Sequence, residues 1–448
     1  MTALDLADIQ GIVLFAYAAL AHARYVSITF DADARPRQWL AEIRHEVHGA
    51  GQYDHHHDQC VQVAFTHAGL ATLGLAESEL DSFPRELQQG MGNPLRARVL
   101  GDEPGEWAFG APHHAPLHAL LLLFAKSDAG VVALRDRLAA RLESFGGHVV
   151  YEDAAELREP LHEAFGFADG IAQPHVKGSP KQRKAHESEV AAGEFVLGYP
   201  NAYDELPPSP HGHDGFDLGK NGSYLVYRKL HQDTAGFWRH MLDHAEPAGD
   251  PKAATKLAAS IIGRWPSGAP LVKYPDADPG ASGSRDDFVF HDEDPKGHRC
   301  PLGAHIRRAN PRDMLSPSPE ESLKAVGRHR ILRRGRPYGT RAPRTPIAGS
   351  KALYAERGLV FLALNASFRR QFEFVQQTWI NNPKFGGMYD ERDPLIGNVA
   401  GGQHFSIPAV PARRRLANLQ SFVTLKGGGY FFLPSRSALA WLSRDREV

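Results

Sequence analysis

Hydrophobic and polar positions along this chain follow two periods, and they sort it into two runs of elements. Ala23 to Phe30 (ARYVSITF) is rich in β-formers and reads as a strand. Pro36 to Val47 carries Trp39, Leu40, Ile43 and Val47 at helical spacing. Cys60 to Phe65 alternates like a strand, and His118 to Phe124 (HALLLLF) is a continuous apolar run that predicts a buried strand. Val131 to Phe145 puts Leu134, Leu138 and Leu142 on one helix face, and His148 to Tyr151 starts another strand. Strand, helix, strand followed by strand, helix, strand is the split βαβ order of a ferredoxin-like unit.

The second run repeats the pattern. Tyr224 to Leu230, Arg330 to Arg333, Leu359 to Leu364 and Tyr430 to Leu433 read as strands. Thr234 to Ala245, Ala253 to Arg264, Arg370 to Trp379 and Ala438 to Leu442 read as helices. Lys177 to Ser188, the proline-bearing Tyr203 to Gly215, and Pro275 to Gly297 are irregular, as loops of functional use often are. The expected organisation is an N-terminal unit over residues 1–175, connecting loops over 176–222 and a C-terminal unit over 223–448.

Composition narrows the picture. A chain of 448 residues is long for one core. A net charge of −1 provides no footprint for nucleic acid or an anionic membrane, so neither is expected as a partner. Cys60 and Cys300 are the only cysteines, too few for a disulfide framework and in keeping with a reducing compartment. MTALDLADIQG carries acids where a secretion signal needs bases, and no twin arginine precedes an apolar run. Ile12 to Ala21 is too short to span a bilayer. A cytoplasmic location is therefore expected. His55, His56 and His57 beside Asp54 look like a metal cluster, but consecutive residues rarely aim three side chains at one ion, so this run reads as a solvated loop.

The chemistry concentrates in CPLGAHIRRANPR, Cys300 to Arg312. Pro301 suits a first helical position and Asn310-Pro311 a stop, which predicts a short helix with His305 at its middle. That histidine is either a satisfied side chain or the axial ligand of a haem iron, with arginines on its C-terminal side pairing with the haem carboxylates.

CPLGAHIRRANPR resembles the proximal-histidine segment of the dye-decolorising peroxidases. GFADG, Gly166 to Gly170, matches that family's distal G-x-x-D-G motif, and HRILRRGRPYG, His329 to Gly339, is similar to the segment that supplies its distal arginine. DIQG, GEFVLGYP, GRWPSGAPLV and RDPLIG extend the likeness over nearly the whole chain, toward the longer members of the family. The resemblance implies an α+β fold. Two ferredoxin-like domains, antiparallel sheets with peripheral helices, would pack sheet to sheet, with haem b (iron protoporphyrin IX) held mainly by the second. It implies a peroxidase that reduces hydrogen peroxide and oxidises dyes and phenolic compounds through a ferryl intermediate.

The same resemblance distributes roles. His305 would ligate iron, with its other ring nitrogen held by Asp393, or alternatively Asp390. Asp169 would move the peroxide proton, and Arg333 would stabilise charge on the departing oxygen. Strand alternation puts Arg334 on the opposite face from Arg333. Arg312 and Arg330 are the propionate candidates, and Phe361, Leu362 and Leu364 the distal wall. Tyr338 and Trp379 would relay electrons from bulky dyes at the surface. An unperturbed Asp is nearly all ionised at neutral pH, so an acidic optimum is expected. A haem-handling protein for transport or iron release, with incidental peroxidase activity, is the rival reading, and a monomer or a dimer is equally compatible with the sequence.

Overall fold

The apolar runs pair as strands throughout. The computed structural model describes residues 3–52, 57–158, 161–184, 187–341, 355–399 and 402–444; Asp54, His55 and His56 of the histidine run lie outside them. The first half contributes β1 (His22–Phe30), α1 (Pro36–Ile43), β2 (Gln59–Phe65), β3 (Ala119–Ala125), α2 (Asp128–Glu143) and β4 (Gly147–Glu156). The second contributes β5 (Ser223–Gln232), α3 (Thr234–Asp243), α4 (Pro251–Ile262), α5 (His305–Ala309), β6 (Leu332–Arg333), β7 (Arg336–Gly339), β8 (Arg357–Asn365), β9 (Val423–Leu433) and α6 (Arg436–Leu442).

These strands form one antiparallel sheet in the order β4-β1-β3-β2-β9-β5-β8-β6, with β7 also on β8. The halves join edge to edge where Phe432 of β9 pairs with Phe65 of β2. They also face each other. The Tyr25 ring on β1 lies 6.1 Å from that of Tyr227 on β5, inside a core drawn from both halves. The fold is the expected mixed α+β arrangement, with the two sheets joined at one edge as well as packed face to face.

The continuous run of β3 now has a physical cause. Leu121 and Leu123 meet a core under α1 and α2, while Leu120, Leu122 and Phe124 meet the core between the halves. A strand buried on both faces has no polar side to alternate with. Leu134, Leu138 and Leu142 bury α2 as its spacing predicts. Ser127 caps this helix by accepting from the Gly130 N–H at 3.1 Å, so it begins at Asp128 rather than Val131.

Two expectations need adjusting. Helix α5 starts at His305 instead of centring on it, because Ala304 is extended (ψ 140°) and a turn occupies Pro301 to Gly303. Residues Arg369–Ile380 wind with π-type turns, wider than the α-helix their spacing predicts.

Candidate active site

The segment bearing the G-x-x-D-G motif folds back on itself. The Glu163 N–H donates to the Phe167 carbonyl at 2.9 Å, and the Asp169 N–H donates to that of Leu161 at 3.2 Å. Gly166 sits at φ 99°, a left-handed value costly for other residues. The Glu163 carboxylate clamps the turn. It accepts from the Phe165 and Phe167 N–H groups at 2.9 and 2.8 Å and from Gln232 Nε2 at 2.6 Å. Burial pushes Glu163 up to about 7, against the pull of those donors. At the end of this hairpin Asp169 Oδ1 accepts from its neighbour Gly170 at 2.6 Å and from Arg333 Nη1 at 3.2 Å. Gln173 Oε1 in turn receives the Arg333 backbone N–H at 3.1 Å.

Across the cavity His305 stands at the first position of α5. Its Nδ1 lies 2.9 Å from Asp393 Oδ2. The Leu395 and Ile396 N–H groups donate to Asp393 Oδ1 at 2.9 and 3.0 Å. A carboxylate can only accept, so Nδ1 carries the proton and Nε2 keeps a lone pair for a metal. Burial disfavours both charged forms, yet each partner's charge outweighs it: His305 is raised and Asp393 lowered. Asp390, the alternative partner, is exposed.

The arginines next to His305 do something other than bind a cofactor carboxylate. Arg307 and Arg308 are fully buried. Arg307 donates to the Cys300 and Asp294 carbonyls at 2.9 Å each. Arg308 donates to the Trp379 carbonyl at 2.7 Å, and to that of Glu391. They tie a single helical turn to its surroundings and so hold the imidazole in place.

His305, Asp169 and Arg333 line one cavity of about 270 Å³. Its walls are largely apolar, among them Ile262, Leu359, Phe361, Phe372 and Val375. Arg264, Arg312 and Arg330 join Arg333 around it. Arg312 donates to the Phe288 carbonyl at 2.8 Å and pairs with Asp286, which also receives Arg264 at 2.6 Å. Arg330 donates to the Ala172 carbonyl at 3.1 Å. Burial pushes Arg330 down to about 10, and neighbouring Arg312 adds to the effect. A ligand bringing carboxylates to this rim would relieve the crowding of cations. The donor set fits haem on its own chemistry: an imidazole for iron, apolar walls for the macrocycle, guanidiniums for propionates.

Two of the three anticipated wall residues sit elsewhere. Leu362 and Leu364 do not line the cavity. Alternation along β8 turns Leu359 and Phe361 toward it, and Leu362 and Leu364 into the core between the halves. Arg334 points away from Arg333 and donates to the Ile12 and Val13 carbonyls at 2.8 and 2.9 Å. Tyr338 is buried with its ring 4.8 Å from Lys229 Nζ. Trp379 is buried too, its ring 5.4 Å from that of His329, which lines the cavity. Sequence reasoning missed Glu163, Gln232, Arg264 and His329. For Glu163 the available signal was a carboxylate inside an apolar turn, three residues before Gly166.

An imidazole with a free Nε2, and an acid beside a guanidinium, in one apolar cavity fit a haem peroxidase. The chain is 31% identical to the dye-decolorizing peroxidase of Exidia glandulosa, over 98% of this chain and 87% of that one. It is 30% identical to the multifunctional dye peroxidase DyP2 of Amycolatopsis, over 84% and 81%. Among solved structures, an ancestral D-type dye decolorizing peroxidase superposes with a TM-score of 0.83 at 28% identity, covering 99% of this chain and 100% of that one. The fungal peroxidase of Auricularia auricula-judae does so at 0.82 and 28%, with the same coverage. No family model matches the chain. This chain belongs to the dye-decolorising peroxidase family. Among the described residues no helix is long and apolar enough to cross a membrane.

Proposed function

We propose that this protein reduces hydrogen peroxide at haem b held by His305 and oxidises dyes and phenolic compounds. The observation that carries the reading is that Asp169, paired with Arg333, lines the same cavity as His305. Bound haem would supply iron to peroxide and store the two oxidising equivalents. The chain supplies the rest. Asp393 keeps the Nδ1 proton on His305, so Nε2 would ligate iron and the ring would be electron-rich. Arg312 and Arg330 would hold the propionates. Asp169 takes the proton from the first peroxide oxygen and returns it to the departing one. Arg333 stabilises negative charge as that oxygen leaves. A solved relative is a complex with 2,6-dimethoxyphenol, which supports phenols as the reducing class. For bulky dyes, Tyr338 and Trp379 relay electrons; dye turnover that survives Tyr338→Phe combined with Trp379→Phe removes them from the route.

The test uses absorbance and rapid mixing. Purified protein shows a Soret band, and peroxide changes it within the mixing experiment in wild type but not in Asp169→Asn or Arg333→Leu. A Soret band with no response to peroxide in wild type leaves haem handling as the function.

A further inference from the structure

The distal hairpin separates two spaces. Phe165, Phe167 and Asp169 line the cavity that holds His305, whereas His162, Ala164 and Gly166 line a cleft of about 40 Å³ on the other side. Glu163 alone among the described residues lines both. The cleft reaches solvent. Gly339, Thr340 and Arg341 on its rim are exposed. Glu156 and Arg158, also in its lining, pair at 2.6 Å with side chains 33% and 37% exposed. Its volume exceeds the roughly 15 Å³ that one water needs.

Gln232 offers the Glu163 carboxyl a partner in either protonation state. Gln232 Nε2 donates to Glu163 Oε2 at 2.6 Å, while the buried Gln232 Oε1 has no partner among the described residues. A half-turn of this amide presents Oε1 to a protonated Glu163, whose O–H then donates to it. Burial pushes Glu163 up to about 7, and the negative charge of Asp169 adds to the rise. Such a group both takes and gives a proton near neutral pH.

Two waters from one peroxide need two electrons and two protons beyond those that peroxide brings, and the O–O bond is the one that breaks. In the proposed reaction Asp169 only moves a proton that peroxide already carries. An electron donor that stays at the surface leaves its protons there, so the cavity must draw both from solvent. We propose that Glu163 is the relay for these protons: it passes one inward to Asp169 and takes its replacement from water in the cleft, twice for each peroxide. Glu163 touches neither peroxide nor iron and acts through Asp169, on the same hairpin. The other charged or titratable groups around the relay are Glu156, Arg158, His162 and Arg341 on the cleft side and Arg333 on the cavity side.

The inference rests on the peroxidase reading, and its test separates the two. Haem-loaded protein is mixed with one equivalent of peroxide and then with ferrocyanide, a one-electron donor that carries no proton. The return of the Soret band to its resting position is timed on both sides of pH 7. In wild type the return slows as pH rises through about 7, because the protonated relay is lost. Glu163→Gln returns about fivefold more slowly below that pH and shows no such inflection. Thr340→Trp crowds the mouth of the cleft from beside β7; its return is slowed too, with the inflection kept. Infrared spectra of the resting protein, without peroxide, carry a protonated carboxyl band that titrates near 7 and is absent from Glu163→Gln. An inflection that survives Glu163→Gln, the lack of a titrating band, or wild-type return in both Glu163→Gln and Thr340→Trp overturns the relay while peroxide still shifts the Soret band. A wild-type Soret band that ignores peroxide overturns the peroxidase reading, and the relay with it.

Discussion

Two carboxylates near the cavity each pair with a nitrogen-bearing side chain, Asp393 with His305 and Asp169 with Arg333, in opposite degrees of confinement. Asp393 is fully buried, and both its oxygens are taken, one by His305 and one by two backbone N–H groups. Asp169 is 36% exposed and touches Arg333, itself 33% exposed, through one oxygen at 3.2 Å. A carboxylate that orients a ring must neither move nor titrate. One that carries a proton between two oxygens must be reachable and able to swing. Burial and saturation with donors secure the first; partial exposure and a single guanidinium contact permit the second. In the proposed reaction the same residue type would serve two tasks because the backbone around it differs.

That contrast can be broken from either side. His305→Ala has the largest effect: the Soret band of purified protein is lost, and a full-intensity band would sink the assignment of the ligand. Asp169→Asn or Arg333→Leu keeps the band but lowers the rate with peroxide roughly 100-fold or more, read by rapid mixing. Asp393→Asn costs roughly 10- to 100-fold in activity and raises the haem reduction potential; an unmoved potential would detach Asp393 from the electronics of the ring.

The smallest effect concerns Glu163, which clamps the distal hairpin. Its pKa is raised by burial to about 7, so the folded state binds its proton more tightly than the unfolded chain does. The stabilisation is complete below the ordinary glutamate value near 4.5 and fades as pH rises toward 7. Glu163→Gln has no such proton to lose. The Tm advantage of wild type over this variant is therefore greatest near pH 4.5 and shrinks by pH 8; a constant difference counts against a raised Glu163.

Much of the scaffold was legible because burial imposes a period. β1, β2, β3 and β8 lie within about two residues of their predicted bounds. The direction of side chains in β8 was not legible. A run such as LVFLAL is apolar at every position, so it carries no phase, and Leu362 and Leu364 were assigned to the wrong face. His305 was placed mid-helix because Pro301 mimics a helix start, whereas one turn and the non-helical Ala304 precede α5. Arg307 and Arg308 follow His305 directly, yet they do not reach a cofactor. Their burial among carbonyls makes them struts. Glu163 and Arg264 carried little local signal, since a turn clamp and a buried ion pair are defined by what folds against them.

Sequence alone determined which residue types are available: one histidine between a proline turn and an Asn-Pro stop, an acid in a glycine-framed loop, a basic strand, and apolar runs with the periods of sheet and helix. Tertiary structure decided which of them meet. His305 reaches Asp393 across 88 positions, and Arg333 reaches Asp169 across 164. No local propensity extends so far. Those contacts depend on strand register and on the closing of two halves around one cavity, where a one-residue slip would turn every side chain to the other face.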